Sequence, residues 1–244
     1  MSLLRDIRSR IYDIEDFHEL GGLILRTSPL LESLFPKVLW GYSSSVDTSP
    51  VHLTFDDGPS PDGTPYILDV LARHEVTATF FLRGSDILGN EDLVERIVRN
   101  GHRIGYHGLT HDTWWLRNRV QRDIEMNPEW LNQFTDNPFA ESRPLLLRAP
   151  YGRIDFAAVG SAENMGARFV HWRLTIRDWV EEVSSRTLSR VLYRFTHPGD
   201  IILLHDSGPS VRELASALDR VIPLWREAGM NLTPIEPFLE SDQQ

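Results

Sequence analysis

The stretch VHLTFDDGP (residues 51–59) opens a regular alternation of strand, loop and helix that runs through the rest of the chain. Residues 51–55 predict the first strand. Further strands are predicted at residues 77–83, 103–107, 145–149, 168–174 and 200–205, with a weaker candidate at 231–235. Strands that alternate with helices indicate an α/β protein with a parallel sheet. About seven such units indicate a closed or nearly closed (β/α) barrel of about seven parallel strands.

Helices are predicted between these strands. One begins at Thr64-Pro65, with threonine as the N-cap and proline at the first helical position. A second covers residues 91–100, and Gly101 suits its C-terminal end. The others lie near residues 118–134, 155–165, 186–195 and 211–228.

Residues 1–50 have a different character and are predicted to form a helical N-terminal extension. Apolar residues recur at helical spacing in the first part, at Leu3, Leu4, Ile7, Ile11 and Ile14. Residues 20–40 are apolar and interrupted by two prolines, which favours short helices and loops. We expect this extension to pack on a barrel domain that covers residues 51–244. The alternative is an element that contacts a membrane surface or a partner.

Composition excludes several classes of function. The chain has 244 residues, enough for one barrel domain, and a formal net charge of −10, which disfavours a nucleic acid partner. It has no cysteine, so a metal would be held by histidine and carboxylate. The N-terminus interleaves charges too densely for a signal-peptide core, and no stretch is long and apolar enough to span a bilayer. We therefore expect a cytoplasmic protein, of an oligomeric state that the sequence leaves open.

Reactive side chains follow five of the predicted strands at the same end. The groups are Asp56-Asp57, His107 with His111, Arg148 through Gly152, Asp178-Trp179 and His205-Asp206. The carboxyl ends of the strands hold the active site in parallel α/β barrels. Five such coincidences predict an active site rather than loop decoration.

The first two groups suggest a metal site. Asp56-Asp57-Gly58 is also good turn sequence, but adjacent carboxylates allow one to bind a metal while the other stays free as a base. His107 and His111 are four residues apart, which predicts that both imidazoles share one face of a helical turn. Together with Asp57 they provide two imidazoles and one carboxylate, a set that leaves positions open for water and substrate.

The remaining groups suggest hydrolysis. Arg148 can hold a carboxylate through a bidentate fork, or form a structural ion pair. The turn at Tyr151 offers a backbone N–H to a ligand. Asp178 can raise the pKa of a histidine, which makes His205 a candidate acid.

Trp179 and Leu203 are candidates for a small apolar pocket; the alternative is ordinary core, which is the favoured interpretation for Leu203 by itself. His102 and His171 receive no role from the sequence.

These motifs, in this order, resemble those of the NodB-homology polysaccharide deacetylases, carbohydrate esterase family 4. The five motifs are Thr54-Phe55-Asp56-Asp57-Gly58-Pro59, His107-x-x-x-His111, Arg148-Ala149-Pro150-Tyr151-Gly152, Asp178-Trp179 and Leu203-Leu204-His205-Asp206. The resemblance runs from about Val51 to the C-terminus. It implies a distorted (β/α) barrel and a divalent metal, usually zinc, with Co²⁺, Ni²⁺, Mn²⁺ or Fe²⁺ as alternatives.

The resemblance also implies roles. Asp56 would be the general base, oriented by Arg148, and the metal ligands would be Asp57, His107 and His111.

The same resemblance implies that the Tyr151 N–H would help to stabilise the oxyanion. Asp178 would tune the general acid His205, and Trp179 and Leu203 would line the acetyl-methyl pocket.

Three positions depart from the family pattern. Gly108 stands where many relatives have serine or threonine, Tyr106 where a small polar residue is frequent, and Thr175 where an acidic residue is common. None of these departures removes a catalytic group.

The expected activity is therefore metal-dependent removal of an N-acetyl or other N-acyl group from an amino sugar in an oligosaccharide, polysaccharide or glycoconjugate. The expected partner is an N-acetylated carbohydrate. Two alternatives remain open: a related hydrolase of another C–N bond, such as a deformylase or cyclic amidase, and a non-catalytic carbohydrate-binding barrel. The presence of the base, the metal ligands and the acid together argues against the latter, because binding needs no Asp56.

Overall fold

A computed structural model of the chain describes residues 24–42, 49–112, 144–181 and 183–236. Within these ranges, eight strands form one curled sheet in the order β1-β7-β8-β2-β3-β4-β5-β6. The strands are β1 (Ile24–Arg26), β2 (His52–Gly58), β3 (Thr79–Leu82), β4 (Arg103–Tyr106), β5 (Leu146–Leu147), β6 (Arg168–Phe169), β7 (Leu174–Ile176) and β8 (Ile201–His205). The seven strands β2 to β8 are parallel, and β1 is antiparallel to β7 at one edge. The prediction of an α/β fold with about seven parallel strands is confirmed.

Helices connect the strands. They are α1 (Pro29–Leu34), α2 (Thr64–Arg73), α3 (Gly84–Ile87), α4 (Glu91–Arg99), α5 (Phe156–Asn164), α6 (Ser185–Phe195) and α7 (Val211–Glu227). The helices predicted at residues 118–134 and in the first part of the extension lie outside the described residues. Within the described ranges, no helix combines the length and apolarity needed to cross a bilayer.

Side-chain alternation along the strands separates the core from the site. Leu53 and Phe55 of β2 belong to the main hydrophobic core with residues of α2, α6 and α7. Successive strand residues point to opposite faces, so Thr54 and Asp56 point into the curled interior, where both contact Arg148. The helices therefore cover the apolar outer face and leave the polar inner face for chemistry.

The prediction of a single strand at residues 168–174 is wrong. The structure divides it into β6 and β7, which lie at different places in the sheet. Between them, Val170 forms an isolated parallel bridge with Leu39 of the N-terminal extension, and Gly41 forms an antiparallel bridge with Asp200 at the start of β8. Residues 39–41 thus lie across the gap between β6 and β8.

The extension also contributes β1, a strand that the prediction of short helices and loops over residues 20–40 omitted. The short helix α1 agrees with that prediction. Arg26 of β1 donates two hydrogen bonds to Asp200, at 2.9 and 3.0 Å.

The segment after α7 covers the end of the barrel where the amino ends of the strands lie. The weaker strand candidate at residues 231–235 is reduced to one bridge, between Leu232 and Val51. The Ile235 N–H donates to Thr79 Oγ1 at 2.9 Å, and the Arg103 guanidinium donates to the Ile235 carbonyl. The barrel is therefore filled at the amino ends of its strands and leaves the carboxyl ends for a site.

The predicted helix end at Gly101 is confirmed. Gly101 has φ +78°, and its N–H donates to the Val98 carbonyl, while the His102 N–H donates to the Ile97 carbonyl. This pair of bonds is a Schellman motif, in which glycine at C′ takes the left-handed conformation without a Cβ penalty.

Candidate active site

A β-bulge at the end of β2 brings two consecutive carboxylates to the same place. Asp56 is still in register with His205 of β8, but the pairing with β3 shifts between Asp56 and Gly58. Asp57, in the bulge, has φ +75°, a conformation that aspartate tolerates better than most residues. In a regular strand the two side chains would diverge; here Asp56 Oδ2 and Asp57 Oδ1 are each 3.7 Å from His107 Nε2.

The two histidines converge, although not on a helical turn as predicted. Residues 107–111 form a bend, and Gly108 has φ +90°, which explains why glycine suits this position. The bend is held by the first residues of α3: Gly84 N–H donates to the Gly108 carbonyl at 2.9 Å, and Ser85 N–H to that of Leu109 at 2.7 Å. The ring centroids of His107 and His111 are 5.5 Å apart.

Asp57, His107 and His111 are suited to hold a divalent metal ion. One ligand atom from each lies within 4.8 Å of the others. His111 Nε2 is 3.2 Å from Asp57 Oδ1, an oxygen that is buried and has no hydrogen-bond partner. An acceptor in that situation is costly unless a cation satisfies it, so the residues fit the ion that the family resemblance implies.

His107 is prepared for a ligand role by its second nitrogen. Its Nδ1 lies 2.9 Å from the Arg148 carbonyl, which can only accept, so Nδ1 carries the proton and Nε2 presents a lone pair to Asp57 and His111. Burial lowers the pKa of His107 to about 3, which keeps the imidazole neutral.

Asp56 is held by a buried arginine. Arg148 Nη1 donates to Asp56 Oδ1 at 2.8 Å and to Thr54 Oγ1 at 2.7 Å, and its guanidinium lies 4.0 Å above the Phe81 ring. Burial raises the pKa of Asp56 above its ordinary value, and the positive charge of Arg148 opposes that rise. The second oxygen, Oδ2, remains on the His107 side of the carboxylate.

His205 is fixed on the other side by Asp178. One carboxylate oxygen accepts from the His205 backbone N–H at 2.7 Å, and the other lies 3.0 Å from His205 Nδ1. Burial alone would lower the pKa of His205, but Asp178, with Asp56 and Asp57 nearby, raises it to about 9. The imidazolium form therefore prevails at neutral pH.

The other three predicted residues are arranged around this centre. The exposed ring of Tyr151 lies 4.2 Å from the His111 ring, and Tyr151 has φ +58°. Trp179 meets the His205 ring edge-on at 5.2 Å. Leu203 is buried and lies on the same face of β8 as His205. Its carbonyl accepts from Thr175 Oγ1 at 3.1 Å, which gives that departure from the family pattern a structural contact.

Two polar residues beside the site, Thr64 and Asp206, were named in the sequence analysis but given no role in the site. The prediction that Thr64 caps α2 is wrong, because its side chain makes no capping hydrogen bond. Instead, Thr64 Oγ1 donates to Asp206 Oδ2 at 2.6 Å and accepts from Ser60 N–H. Asp206 is fully buried and approaches Gly58 and Gly63 so closely that a Cβ at either would collide with it. The signal for Asp206 was its place directly after His205.

The curled, mostly parallel sheet, with carboxylates and histidines gathered at the carboxyl ends of its strands, has the architecture of the (β/α)-barrel enzymes, whose active sites lie at that end. Comparison with known proteins is consistent with this class. Residues 43–170 match the family described as polysaccharide deacetylase.

Among relatives, a chitooligosaccharide deacetylase of Sinorhizobium fredii is 36% identical over 196 residues, which is 76% of this chain and 90% of that protein. A peptidoglycan-N-acetylglucosamine deacetylase of Bacillus cereus is 31% identical over 209 residues, or 85% and 74% of the two chains. The solved structure of the Bc1960 peptidoglycan N-acetylglucosamine deacetylase superposes with a TM-score of 0.75 at 29% identity, covering 86% of this chain and 95% of that one. The chain belongs to the polysaccharide deacetylase family, the NodB-homology group of carbohydrate esterase family 4.

Proposed function

We propose that the protein is a metal-dependent hydrolase that removes an N-acetyl group from an amino sugar in an oligosaccharide, polysaccharide or glycoconjugate. The observation that carries this proposal is the convergence of Asp57, His107 and His111 on one place. Beside them lies a second carboxylate, Asp56, which is not one of the three candidate ligands and is held by Arg148. The activities for which the relatives are named, chitooligosaccharide and peptidoglycan N-acetylglucosamine deacetylation, support the same substrate class.

The metal ion that best fits the donor set is zinc. Two imidazoles and one carboxylate with positions left open are typical of catalytic zinc sites, and Co²⁺, Ni²⁺, Mn²⁺ and Fe²⁺ accept the same donors. When bound, such an ion supplies Lewis acidity that polarises the amide carbonyl and acidifies a water molecule.

Asp56 is proposed to take the proton from the attacking water. Its Oδ1 is occupied by Arg148, so Oδ2 is the oxygen left to accept. The single hydrogen bond from Arg148 Nη1 holds the carboxylate in one orientation, and the charge of Arg148 favours its ionised form against the effect of burial. A base fixed in this way loses little entropy as the proton is transferred.

His205 is proposed to donate a proton to the leaving nitrogen. Its Nδ1 is bound to Asp178, so Nε2 is the nitrogen available to the substrate. The raised pKa, about 9, keeps that proton in place at neutral pH. This acid matters for an amide in particular, because an unprotonated amine is a poor leaving group.

The positions of Tyr151, Trp179 and Leu203 agree with supporting roles. The left-handed Tyr151 lies between Pro150 and Gly152 in a short 3₁₀ turn beside His111, where its backbone N–H is proposed to donate to the oxyanion. Trp179 and Leu203 are proposed to contact the acetyl methyl group.

The deciding experiment is release of acetate from N-acetylated sugars. The metal-loaded protein is incubated with chitooligosaccharides, peptidoglycan fragments and simple N-acetylated amino sugars, and free acetate is measured. Asp56→Asn is the matched control, because it keeps the size of the side chain and removes its basicity. Acetate release by the wild type and its loss in the variant are expected. Release of formate from N-formyl compounds, or opening of cyclic amides without acetate release, would overturn the proposed substrate class.

A further inference from the structure

We propose that His171 is a positioning residue for this site, and that the N-terminal extension acts on the reaction by holding His171 in place. The inference rests on the proposed function and extends it to a residue and a segment outside the recognised motifs. His171 and its partner Trp40 both lie just beyond the family match at residues 43–170.

His171 contacts two of the motifs at once. Its backbone carbonyl accepts from Arg148 Nη2 at 3.0 Å, the same guanidinium whose other nitrogen holds Asp56. Its ring Nε2 lies 3.2 Å from the Gly152 carbonyl. A carbonyl only accepts, so Nε2 carries the proton, and the imidazole acts as a hydrogen-bond donor to the turn that contains Tyr151.

That turn needs an external restraint. Tyr151 and Gly152 have φ of +58° and +62°, and a left-handed conformation costs a non-glycine residue about 1 kcal/mol or more. Such a conformation persists only where surrounding contacts impose it. The His171 bond is one of these contacts. The Trp172 ring is another, because it packs so closely on Gly152 that a Cβ there would collide with it.

The extension fixes His171 through both backbone and ring. The Leu39 carbonyl accepts from the His171 N–H at 2.8 Å, and the Leu39 N–H donates to the Phe169 carbonyl at 2.9 Å. The centroid of the Trp40 ring lies 4.4 Å from that of the His171 ring. The His171 ring also stacks on the Trp172 ring, with centroids 3.8 Å apart.

Trp40 is itself anchored, since it is buried and its indole N–H donates to the Phe35 carbonyl at 3.1 Å. His171 is thus enclosed between an extension residue and the site, with its ring neutral because burial lowers its pKa to about 4.

The test compares His171→Leu with His171→Gln. Leucine removes the donor and keeps an apolar contact for the two indoles, while the Nε2 of glutamine can replace the lost donor. Both variants keep the backbone carbonyl that binds Arg148, so the pair isolates the ring. For His171→Leu we expect kcat for acetate release to fall about 10- to 100-fold, with KM and metal affinity unchanged. The reason is that displacement of the Tyr151 N–H weakens a bond to the transition state more than it weakens substrate binding. His171→Gln should recover most of the loss.

Hydrogen exchange separates failure of this inference from failure of the proposed function. In His171→Leu, peptides that cover residues 145–156 should exchange faster than in the wild type, and those of α7 should not. If the wild type releases no acetate from any sugar, the proposed function fails and the exchange result alone decides the inference. Unchanged exchange in this peptide, or an unchanged kcat in an enzyme shown to be active, would overturn it.

The role of the extension is tested by Trp40→Ala, with Leu30→Ala as control because Leu30 is 71% exposed on α1. Trp40→Ala should reduce kcat, and the Trp40→Ala/His171→Leu double variant should lose little more than His171→Leu alone, since residues that act through one path are not additive. Leu30→Ala should match the wild type. Full additivity of the two losses would show that Trp40 does not act through His171.

Discussion

Replacing Asp178 with asparagine should move the titration of His205. The carboxylate binds both the backbone N–H and Nδ1 of His205, and the amide that replaces it keeps a similar shape without the negative charge. The pKa of His205 should therefore fall from about 9 toward or below its ordinary value of 6.5, because burial, which favours the neutral ring, is then opposed only by Asp56 and Asp57.

The size of the effect follows from the raised pKa. The difference between 6.5 and about 9 corresponds to about 3 kcal/mol of preference for the imidazolium form. Because the pKa is raised in the folded protein, this stabilisation is fully present below pH 6.5 and is lost as the pH rises through about 9. Asp178→Asn should therefore lower the free energy of unfolding mainly at neutral and acidic pH, and the difference from wild type should shrink above pH 9.

Two measurements check this reasoning. Titration of the His205 ring signal by NMR in metal-free protein gives the pKa directly, and His102, whose pKa burial lowers to about 4, serves as an internal control that should not change. The pH profile of kcat/KM in the loaded enzyme should have its alkaline limb moved to lower pH in the variant. A bound cation lowers the absolute position in both proteins, so the difference between them is the test. An alkaline limb and a ring titration that stay in place in Asp178→Asn would refute the assignment of Asp178 as the group that raises the pKa.

Three further substitutions test other parts of the site. His107→Ala should release the metal, measured by elemental analysis after dialysis, whereas His74→Ala, at a histidine paired with Asp219 on the helical surface, should retain it. Arg148→Lys should lower the free energy of unfolding by about 2–3 kcal/mol in urea titrations and reduce kcat/KM, because lysine keeps the charge but cannot bond Asp56, Thr54 and the His171 carbonyl together. Thr64→Val should destabilise the protein by about 1–3 kcal/mol in the same assay, because it leaves Asp206 Oδ2 buried without its donor, and Thr64→Ser should restore stability. Equal stability of the valine and serine variants would contradict that account.

The sequence was informative where function depends on residue type at the ends of strands. Polar residues directly after apolar runs, as at Asp56-Asp57 and His205, are visible in any single sequence, and a parallel sheet brings such ends together. All ten predicted site residues belong to the motifs that the structure gathers at this end of the sheet. The convergence of His107 and His111 was predicted for the wrong reason, since the bend depends on the φ of Gly108 and on bonds from α3 that no spacing reveals.

The errors concern contacts between distant parts of the chain. Residues 168–174 form a continuous run in the sequence, and what interrupts the strand is the bridge from Val170 to Leu39, more than a hundred residues away. Thr64 has the residue type of an N-cap, but the buried oxygen of Asp206 takes its hydroxyl. His171 received no role because its contacts with Arg148, Gly152 and the ring of Trp40 come from other parts of the chain and leave no local pattern.

The bridges made by Leu39 and Gly41 have a practical consequence for anyone who trims this protein for expression. A truncation at residue 43, where the recognisable family region begins, would remove the backbone hydrogen-bond partners of Phe169, His171 and Gly199 and expose a fresh sheet edge to water. Unpaired edges of this kind promote pairing between chains. A shortened version should therefore precipitate or associate, even though every recognised motif residue would still be present.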